Sequence, residues 1–216
     1  MTLSIDFHTH TVVSKDSLTS PARLVEVARR KGLERVVVTD HNSLAGARAA
    51  QCMDPELIIL GEEIMTTKGE ILASFMTEEI PAQLTPLETI RRLREQGAFI
   101  SVSHPFDSWR NGAWKLEDLL EIAPLVDAIE VLNARCTAAL DNQKAAEFAL
   151  LQHLAGTAGS DAHAAFELGK AHLLVPDFEG ADGLRKVIRQ GQATGSLSPV
   201  WVHFTSWYAR WRKKVV

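Results

Sequence analysis

Leu3-Ser4-Ile5-Asp6-Phe7-His8-Thr9-His10-Thr11 is the stretch that decides the fold. A short apolar run from Leu3 to Phe7 ends in two histidines one residue apart. Read as a strand over Leu3–His8, it places alternate side chains on one side, so His8 and His10 reach the same point beyond the strand end. The arrangement recurs along the chain. Val36 to Val38 precedes Thr39-Asp40-His41, Leu57 to Leu60 precedes Gly61-Glu62-Glu63, and Phe99 to Val102 precedes Ser103-His104-Pro105. Ser160-Asp161-Ala162-His163 repeats the spacing near the far end, and Asp16 follows the first pair. Imidazole and carboxylate are the usual ligands of divalent Zn, Mn and Fe. Such groups arriving from successive strand ends converge on one face of a barrel.

Between these strands the sequence alternates in a βα rhythm. Ser20-Pro21 opens a helix over Ala22–Lys31 that Gly32 stops. Ser43–Met53 is a helix of small residues, and Thr85-Pro86-Leu87-Glu88 has a capping-box pattern for a helix running to Gln96. Leu116–Ile122, Leu140–His153 and Asp182–Gln190 read as further helices. Strands are expected at Ala128–Leu132, Leu154–Ala158 and His172–Val175, the last as a seventh parallel strand, with Glu70–Phe75 an extra strand or hairpin arm. The alternation predicts α/β architecture, a distorted (β/α)7 barrel with a metal site at the C-terminal mouth of the strands. Residues 1–195 form that domain in this reading, and residues 196–216 a tail rich in aromatic and basic residues.

The bulk properties narrow the function. The chain has 216 residues, 46% apolar and 23% charged, enough for one full-sized domain. A net charge of -4 argues against a broad electrostatic grip on nucleic acid, though not against a small basic pocket. A dinucleotide fold is disfavoured because no Gly-x-Gly-x-x-Gly follows a strand, and the phosphate-loop signature is absent. Neither Cys52 nor Cys136 begins a Cys-x5-Arg motif, since positions 58 and 142 are Ile and Asn. Two cysteines suit a reducing compartment, and neither a signal peptide nor a membrane span is read from the sequence, so the expected location is cytoplasmic.

Taken as an ordered set, His8-Thr9-His10-Thr11, Thr39-Asp40-His41-Asn42, Gly61-x-Glu63, Ser103-His104-Pro105 and Ser160-Asp161-Ala162-His163 resemble the PHP family, named for polymerase and histidinol phosphatase domains. The resemblance covers Leu3 to Val175. It implies two or three divalent ions (Mn, Zn or Fe) and hydrolysis of phosphate esters. Carried over by motif, one ion would take His8, His10, Glu63 and Asp161. A second would share Glu63 and add His104, and a third would take Asp16, His41 and His163. His41, Glu63, His104, Asp161 and His163 are thereby the candidate catalytic residues. Glu62 is a rival for the bridging role, but the family pattern favours the third residue of the triplet.

The chain departs from the family where a further histidine often follows the bridging glutamate. Residues Thr66 to Thr77 hold none. Glu70 is a substitute carboxylate ligand, or else a solvated charge beside Lys68. Paired ions would polarise a phosphoryl oxygen and lower the pKa of a water that attacks phosphorus. Lys15, Arg110 and Arg135 are candidate substrate contacts, Arg for its fork-shaped match to phosphate. Glu130 and Asn133 are candidates for orienting ligands, and Asp40 reads as a turn residue or a buttress for His41.

The expected activity is therefore a metal-dependent phosphoesterase acting on a small phosphorylated substrate, a nucleotide or a short oligonucleotide. An amidohydrolase-type hydrolase and a non-catalytic PHP module are the alternatives. His153, His172 and His203 lack partners at ligand spacing and read as structural. Trp201, Phe204, Trp207, Tyr208 and Trp211 fall on one face of a helix followed by Arg212, Lys213 and Lys214. With Arg210 in the same basic cluster, this tail is expected to pack on the barrel, the other readings being a homo-oligomer contact, a nucleic-acid stacking surface or a membrane-surface anchor. Every expected ligand lies before Ala164, so the tail is expected to be dispensable for turnover of small substrates.

Overall fold

The computed structural model describes residues 2–110 and 112–215. Among the described residues nine strands form one sheet in the order β7-β6-β5-β4-β3-β2-β1-β8-β9, where β8 is Ala171–Pro176 and β9 is Gln192–Gly195. Its barrel comprises β1 (Thr2–Thr9), β2 (Arg35–Val38), β3 (Ile58–Met65), β4 (Glu70–Ser74), β5 (Phe99–Val102), β6 (Ala128–Asn133) and β7 (Ala155–Gly159). Helices α1 (Pro21–Arg30), α2 (Ala45–Gln51), α3 (Pro86–Glu95), α4 (Leu116–Ile122), α5 (Ala139–Leu151) and α6 (Gly180–Val187) follow β1, β2, β4, β5, β6 and β8. Among the described residues, no helix is long and apolar enough to cross a membrane.

The local signals that start the helices act as the sequence predicts. Ser20 accepts a hydrogen bond from the Arg23 N–H at 3.2 Å, and Pro21 occupies the first turn, where no amide donor is required. Thr85 caps α3 in the same way, through the Glu88 N–H. Only half of the capping box forms, because the Glu88 carboxylate turns to Arg91 and Arg92 instead. The apolar faces of these helices bury Leu24 and Val27 from α1 and Ile90 and Leu93 from α3 against the strands.

The barrel class holds, but its strands differ from the sequence reading in two ways. Glu70–Ser74 is a full member of the barrel, antiparallel to both β3 and β5. The expected seventh strand, β8 (Ala171–Pro176), lies on the other side of β1 and runs antiparallel to it. Beyond it comes β9 (Gln192–Gly195), also antiparallel. A βα rhythm implies parallel pairing only where a helix carries the chain back across the sheet. The short Thr66–Gly69 turn lets β4 fold back directly, closed by the Thr66 N–H and Oγ bonds to the Gly69 carbonyl.

Closure occurs at the mouth. The Asp161 N–H donates to the His8 carbonyl at 2.7 Å, and the His10 N–H donates to the Ala162 carbonyl at 2.9 Å. At the other end Thr2 to Ile5 pair with Leu173 to Pro176, so β8 wedges beside β1 and the ring is split there. The tight approach needs Gly159. A Cβ at that position would lie 2.4 Å from the His8 Cβ and 2.8 Å from its N.

The C-terminal helix α7 (Val202–Val215) lies across this mouth with Val202, Ser206 and Ala209 buried. Its contacts are made by buried Arg135, which donates from Nη1 to Ser206 Oγ at 2.9 Å and from Nη2 to the Val202 carbonyl at 2.7 Å. At the other end Lys213 Nζ donates to the carbonyls of Val12 and Ser14.

Gly159→Ala should therefore force β1 and β7 apart at the mouth. Overpacking of this kind costs about 1–3 kcal/mol, or a melting temperature lower by roughly 3–10 °C in calorimetry. An unchanged melting temperature would show that the closure tolerates a methyl group.

Candidate metal centre

The ligand-type residues reach the mouth from several places: His8 within β1, Glu63 within β3, Glu70 at the start of β4, Asp16 in a turn, and His10, His41, His104, Asp161 and His163 just past the ends of β1, β2, β5 and β7. His8, His10, Glu63, His104, Asp161 and His163 are buried, as are Asp16 and Glu70, while His41 keeps 21% of its side chain exposed. His8 Nε2 lies 3.1 Å from His10 Nε2, 3.3 Å from Glu63 Oε1 and 3.6 Å from Asp161 Oδ1. His10 Nε2 lies 3.3 Å from Asp161 Oδ1 and 3.5 Å from Glu63 Oε2. Donors at the corners of a tetrahedron around an ion with bonds of about 2.0–2.2 Å are roughly 3.3–3.6 Å apart. The spacing matches.

Glu63 continues into a second group. Its Oε1 is 3.1 Å from His104 Nε2, and its Oε2 is 3.0 Å from His41 Nδ1. Glu70 joins this group, 3.6 Å from His104 Nε2 and 3.9 Å from His41 Nδ1. It is not paired with Lys68, which instead meets Asp118 at 3.1 Å. On the outer side, Asp16 Oδ1 lies 3.3 Å from His163 Nε2 and 3.5 Å from His41 Nε2. His41 thus touches two groups with its two nitrogens.

The imidazoles are aimed by fixed partners. His8 Nδ1 is 3.0 Å from Glu130 Oε1, and His163 Nδ1 is 2.8 Å from the Asp161 carbonyl. Both partners accept, so each Nδ1 donates outward and Nε2 is the nitrogen turned to the centre, the one that would ligate once it is deprotonated. His10 Nδ1 is 3.0 Å from Ser14 Oγ. Ser14 Oγ gives its own hydrogen to Asp40 Oδ1 at 2.5 Å, and therefore accepts from His10. Asp40 also takes the Thr11 N–H and hydroxyl, ordering the loop after β1. It is a buttress that acts through Ser14, whose Oγ accepts from the His10 ring N–H and also from the His41 backbone N–H at 3.1 Å.

Glu130 and Asn133 orient the ligands, as expected. Glu130 Oε2 accepts from the His104 N–H and from Asn133 Nδ2, which also reaches Asp161 Oδ2 at 3.2 Å. Ser14 and Asp6 are the residues sequence reasoning missed. Buried Asp6 accepts from the Ser160 N–H and hydroxyl and from the Gly169 N–H, and so sets the strand end that carries Asp161. Its apolar surroundings raise its pKa to about 6. Its spacing of two from His8 was the available signal.

The donor set fits divalent ions. Asp161 Oδ1 and Asp16 Oδ1 are buried and have no hydrogen-bond donor among the described residues. A carboxylate oxygen in that condition calls for a cation. Burial alone would raise Glu63 and Asp161, yet His8 and His41 hold Glu63 well below the carboxylate range, and Arg110 with His8 does the same to Asp161. Burial and the neighbouring His163 and His41 lower His10 to about 4, leaving it neutral and able to ligate at pH 7.

The three candidate substrate contacts separate. Arg110 enters the centre, with Nη1 2.5 Å from Asp161 Oδ2 and Nε 3.1 Å from Asp107 Oδ2, while Nη2 is buried without a partner among the described residues. Lys15 is exposed at the rim. Arg135 lines the same cavity, but its guanidinium is engaged by Ser206, the Val202 carbonyl and Glu167 at 3.1 Å, so its observed role is to clamp α7. His203, read as structural, instead lines the mouth with Arg110, Ser206 and Arg210. His153 and His172 lie away from the centre, in the turn after α5 and in β8.

A barrel with this inward set of histidines and carboxylates defines a metal-site class that comparison with known proteins makes specific. The PHP domain family matches residues 6–94, and the PHP-associated family matches residues 139–193. An uncharacterised protein of Methanocaldococcus jannaschii is 38% identical over 174 residues, which are 79% of this chain and 70% of that protein. The chain belongs to the PHP family. A two-domain protein of Bacteroides vulgatus, described as containing a predicted PHP-like metal-dependent phosphoesterase, superposes with a TM-score of 0.75 at 23% identity, over 91% of this chain. This chain spans 65% of that protein. An amidohydrolase of Chromobacterium violaceum, solved with bound sulfate and no metal, gives a TM-score of 0.64 at 14% identity over 92% of this chain and 95% of its own. At such identities the two structures establish a shared fold.

The two adjacent glutamates point to opposite sides of β3 and should behave differently. Glu62 turns away from the centre and accepts from the Ile80 N–H at 3.2 Å, with burial pushing its pKa up to about 8. A raised carboxyl pKa means the folded state holds the proton more tightly, so this group costs stability as pH rises from about 4.5 toward 8. Glu62→Gln should keep the metal content and flatten that fall in melting temperature. Glu63→Gln should lose at least one ion by elemental analysis. The reverse outcome would shift the ligand register by one residue.

Proposed function

We propose that this protein is a metal-dependent phosphoesterase that hydrolyses a phosphomonoester, a nucleotide or a short 5′-phosphorylated oligonucleotide. The observation that carries the reading is the pairing of a donor set suited to divalent ions with the buried Arg110 Nη2 beside it, which has no partner among the described residues. His8, His10, Glu63 and Asp161 would hold one ion, Glu63, His104 and Glu70 a second, and Asp16, His41 and His163 a third. The mixed nitrogen and oxygen donors suit Mn, Zn or Fe. Such ions supply Lewis acidity toward a phosphoryl oxygen and toward water.

The protein's own groups then divide the remaining work. Arg110 has Nη1 bound to Asp161 and Nε to Asp107, which fixes the guanidinium plane and would leave Nη2 for a non-bridging phosphoryl oxygen. Lys15 adds positive charge at the rim, where a substrate's phosphate enters. His41 is the most exposed of the ligand-type histidines, so the substrate reaches the centre past it. Glu130, Asn133, Ser14 and Asp40 hold the ligands in place before substrate arrives, which spares reorganisation during the reaction.

Solvent water is the nucleophile in this reading. Cys136 is buried, burial pushes its thiol pKa up, and the neutral thiol is a poor nucleophile. Every expected ligand is present, which argues against a non-catalytic module. Residues 1–195 would form the catalytic domain and residues 196–216 its closing helix.

Protein stripped with a chelator and reloaded with Mn, Zn or Fe should release phosphate from members of a panel of phosphomonoesters, nucleotides and 5′-phosphorylated oligonucleotides, and the stripped protein should not. Amide cleavage without phosphate release would make it an amidohydrolase, the activity named for the Chromobacterium relative. In labelled water a single turnover should place one label in phosphate and none in the protein. A trapped phosphoryl-protein would overturn direct attack by water.

A further inference from the structure

Helix α7 lies beyond both family matches, which end at residue 193, yet it forms part of the mouth of the metal centre. Its residues sort by face. Val202, Ser206 and Ala209 are buried underneath. His203, Ser206 and Arg210, three and four residues apart, line the same cavity of about 290 Å³ as Asp16, His41, Glu70, Arg110 and His163. Arg210 Nη1 stands 3.9 Å from Asp16 Oδ2, and half of its side chain remains exposed. The helix is pinned at both ends to loops of the centre. Arg135 grips its first turn, and Lys213 grips the Val12–Ser14 loop whose serine holds His10. A helix that only covered the barrel would not need a buried arginine and a lysine to set its position over the ligands.

We infer that α7 is a wall of the reaction site and that Arg210 and His203 contact the substrate, Arg210 binding an anionic oxygen across the cavity from Arg110. The assignment rests on the phosphoesterase reading of the same centre and adds residues that the family matches do not reach. An arginine at 3.9 Å from one carboxylate oxygen is too far for a short bidentate pair. Its remaining donors face a cavity already walled by Arg110 and Lys15, where a phosphate oxygen would be the natural acceptor. His203, one turn earlier, presents an imidazole to the same space. Arg135 and Lys213 are positioning residues in this scheme, because they act only through the helix.

The test uses the full chain loaded with Mn. For a phosphomonoester that the wild type hydrolyses, Arg210→Ala should raise KM about ten-fold or more with kcat changed far less, in line with loss of a charged hydrogen bond. Inorganic phosphate should weaken as a competitive inhibitor by the same factor, Arg210→Lys should recover part of it, and His203→Ala should shift KM in the same direction. Trp207→Ala, on the exposed outer face, should change none of these. Metal content and melting temperature should stay at the wild-type level throughout. Loss of an ion from Arg210→Ala with unchanged phosphate inhibition would mean that the arginine serves Asp16, and would overturn the assignment. If the wild type hydrolyses no phosphate ester, the phosphoesterase reading falls, and calorimetric titration with inorganic phosphate decides the wall separately. Weaker phosphate binding by Arg210→Ala supports the assignment; equal binding, or none by wild type, overturns it.

Discussion

Glu63 and Asp161 are carboxylates with no more than 1% exposure, and compensating their charge is the constraint on which the rest of the mouth depends. A buried anion without a partner is strongly destabilising, so groups of opposite charge or donor character must be brought to it. Arg110 reaches Asp161 from the loop after β5, and His8, His41 and His104 surround Glu63 from three strand ends. Even so, Asp161 Oδ1 is left without a donor among the described residues. That residual demand is what makes the arrangement a cation site rather than a set of structural ion pairs.

The same demand explains how much protein is given to holding the histidines still. An imidazole ligates only through a nitrogen that lacks its proton, so the tautomer has to be chosen from the far side of the ring. Glu130, Ser14 and the Asp161 carbonyl make that choice for His8, His10 and His163. Asp161 itself sits at a φ of 52°, in the left-handed region where non-glycine residues are uncommon. Its N–H is tied to the His8 carbonyl and its own carbonyl to His163, so the local strain is held by bonds to two ligands. Asp40 and Asp6 extend the support outward, each accepting several donors from the loops that carry ligands.

Closure of the barrel and assembly of the centre are one event. The hydrogen bonds that join β1 to the end of β7 are made by His8, His10, Asp161 and Ala162, and three of these are ligand-type residues. The split at the opposite end, where β8 lies along β1, leaves the ring tight only where the centre needs it. Helix α7 then crosses the mouth, held by Arg135 and Lys213, and narrows the approach to His41.

The sequence by itself determined which residues gather at the mouth, though β3 runs on to Met65 and so carries Glu63 within it rather than beyond Gly61. Short apolar runs followed by His8, His10, His41, Glu63, His104, Asp161 and His163 are local patterns, and a strand's two-residue period is enough to pair His8 with His10. It did not determine the direction of β4 or β8, because a short apolar strand pairs either way and only the turn and its neighbours choose. It left Glu70 between ligand and surface charge, which burial beside His104 and the diversion of Lys68 to Asp118 resolved. Ser14 was invisible, since an isolated serine acquires meaning only when Asp40 from another strand fixes its hydroxyl. Arg135 looked like a phosphate ligand because it lies just past a strand end, and only the docking of α7 shows its guanidinium turned to the helix. These are contacts between segments far apart in the chain, and no local periodicity carries their partners' identity.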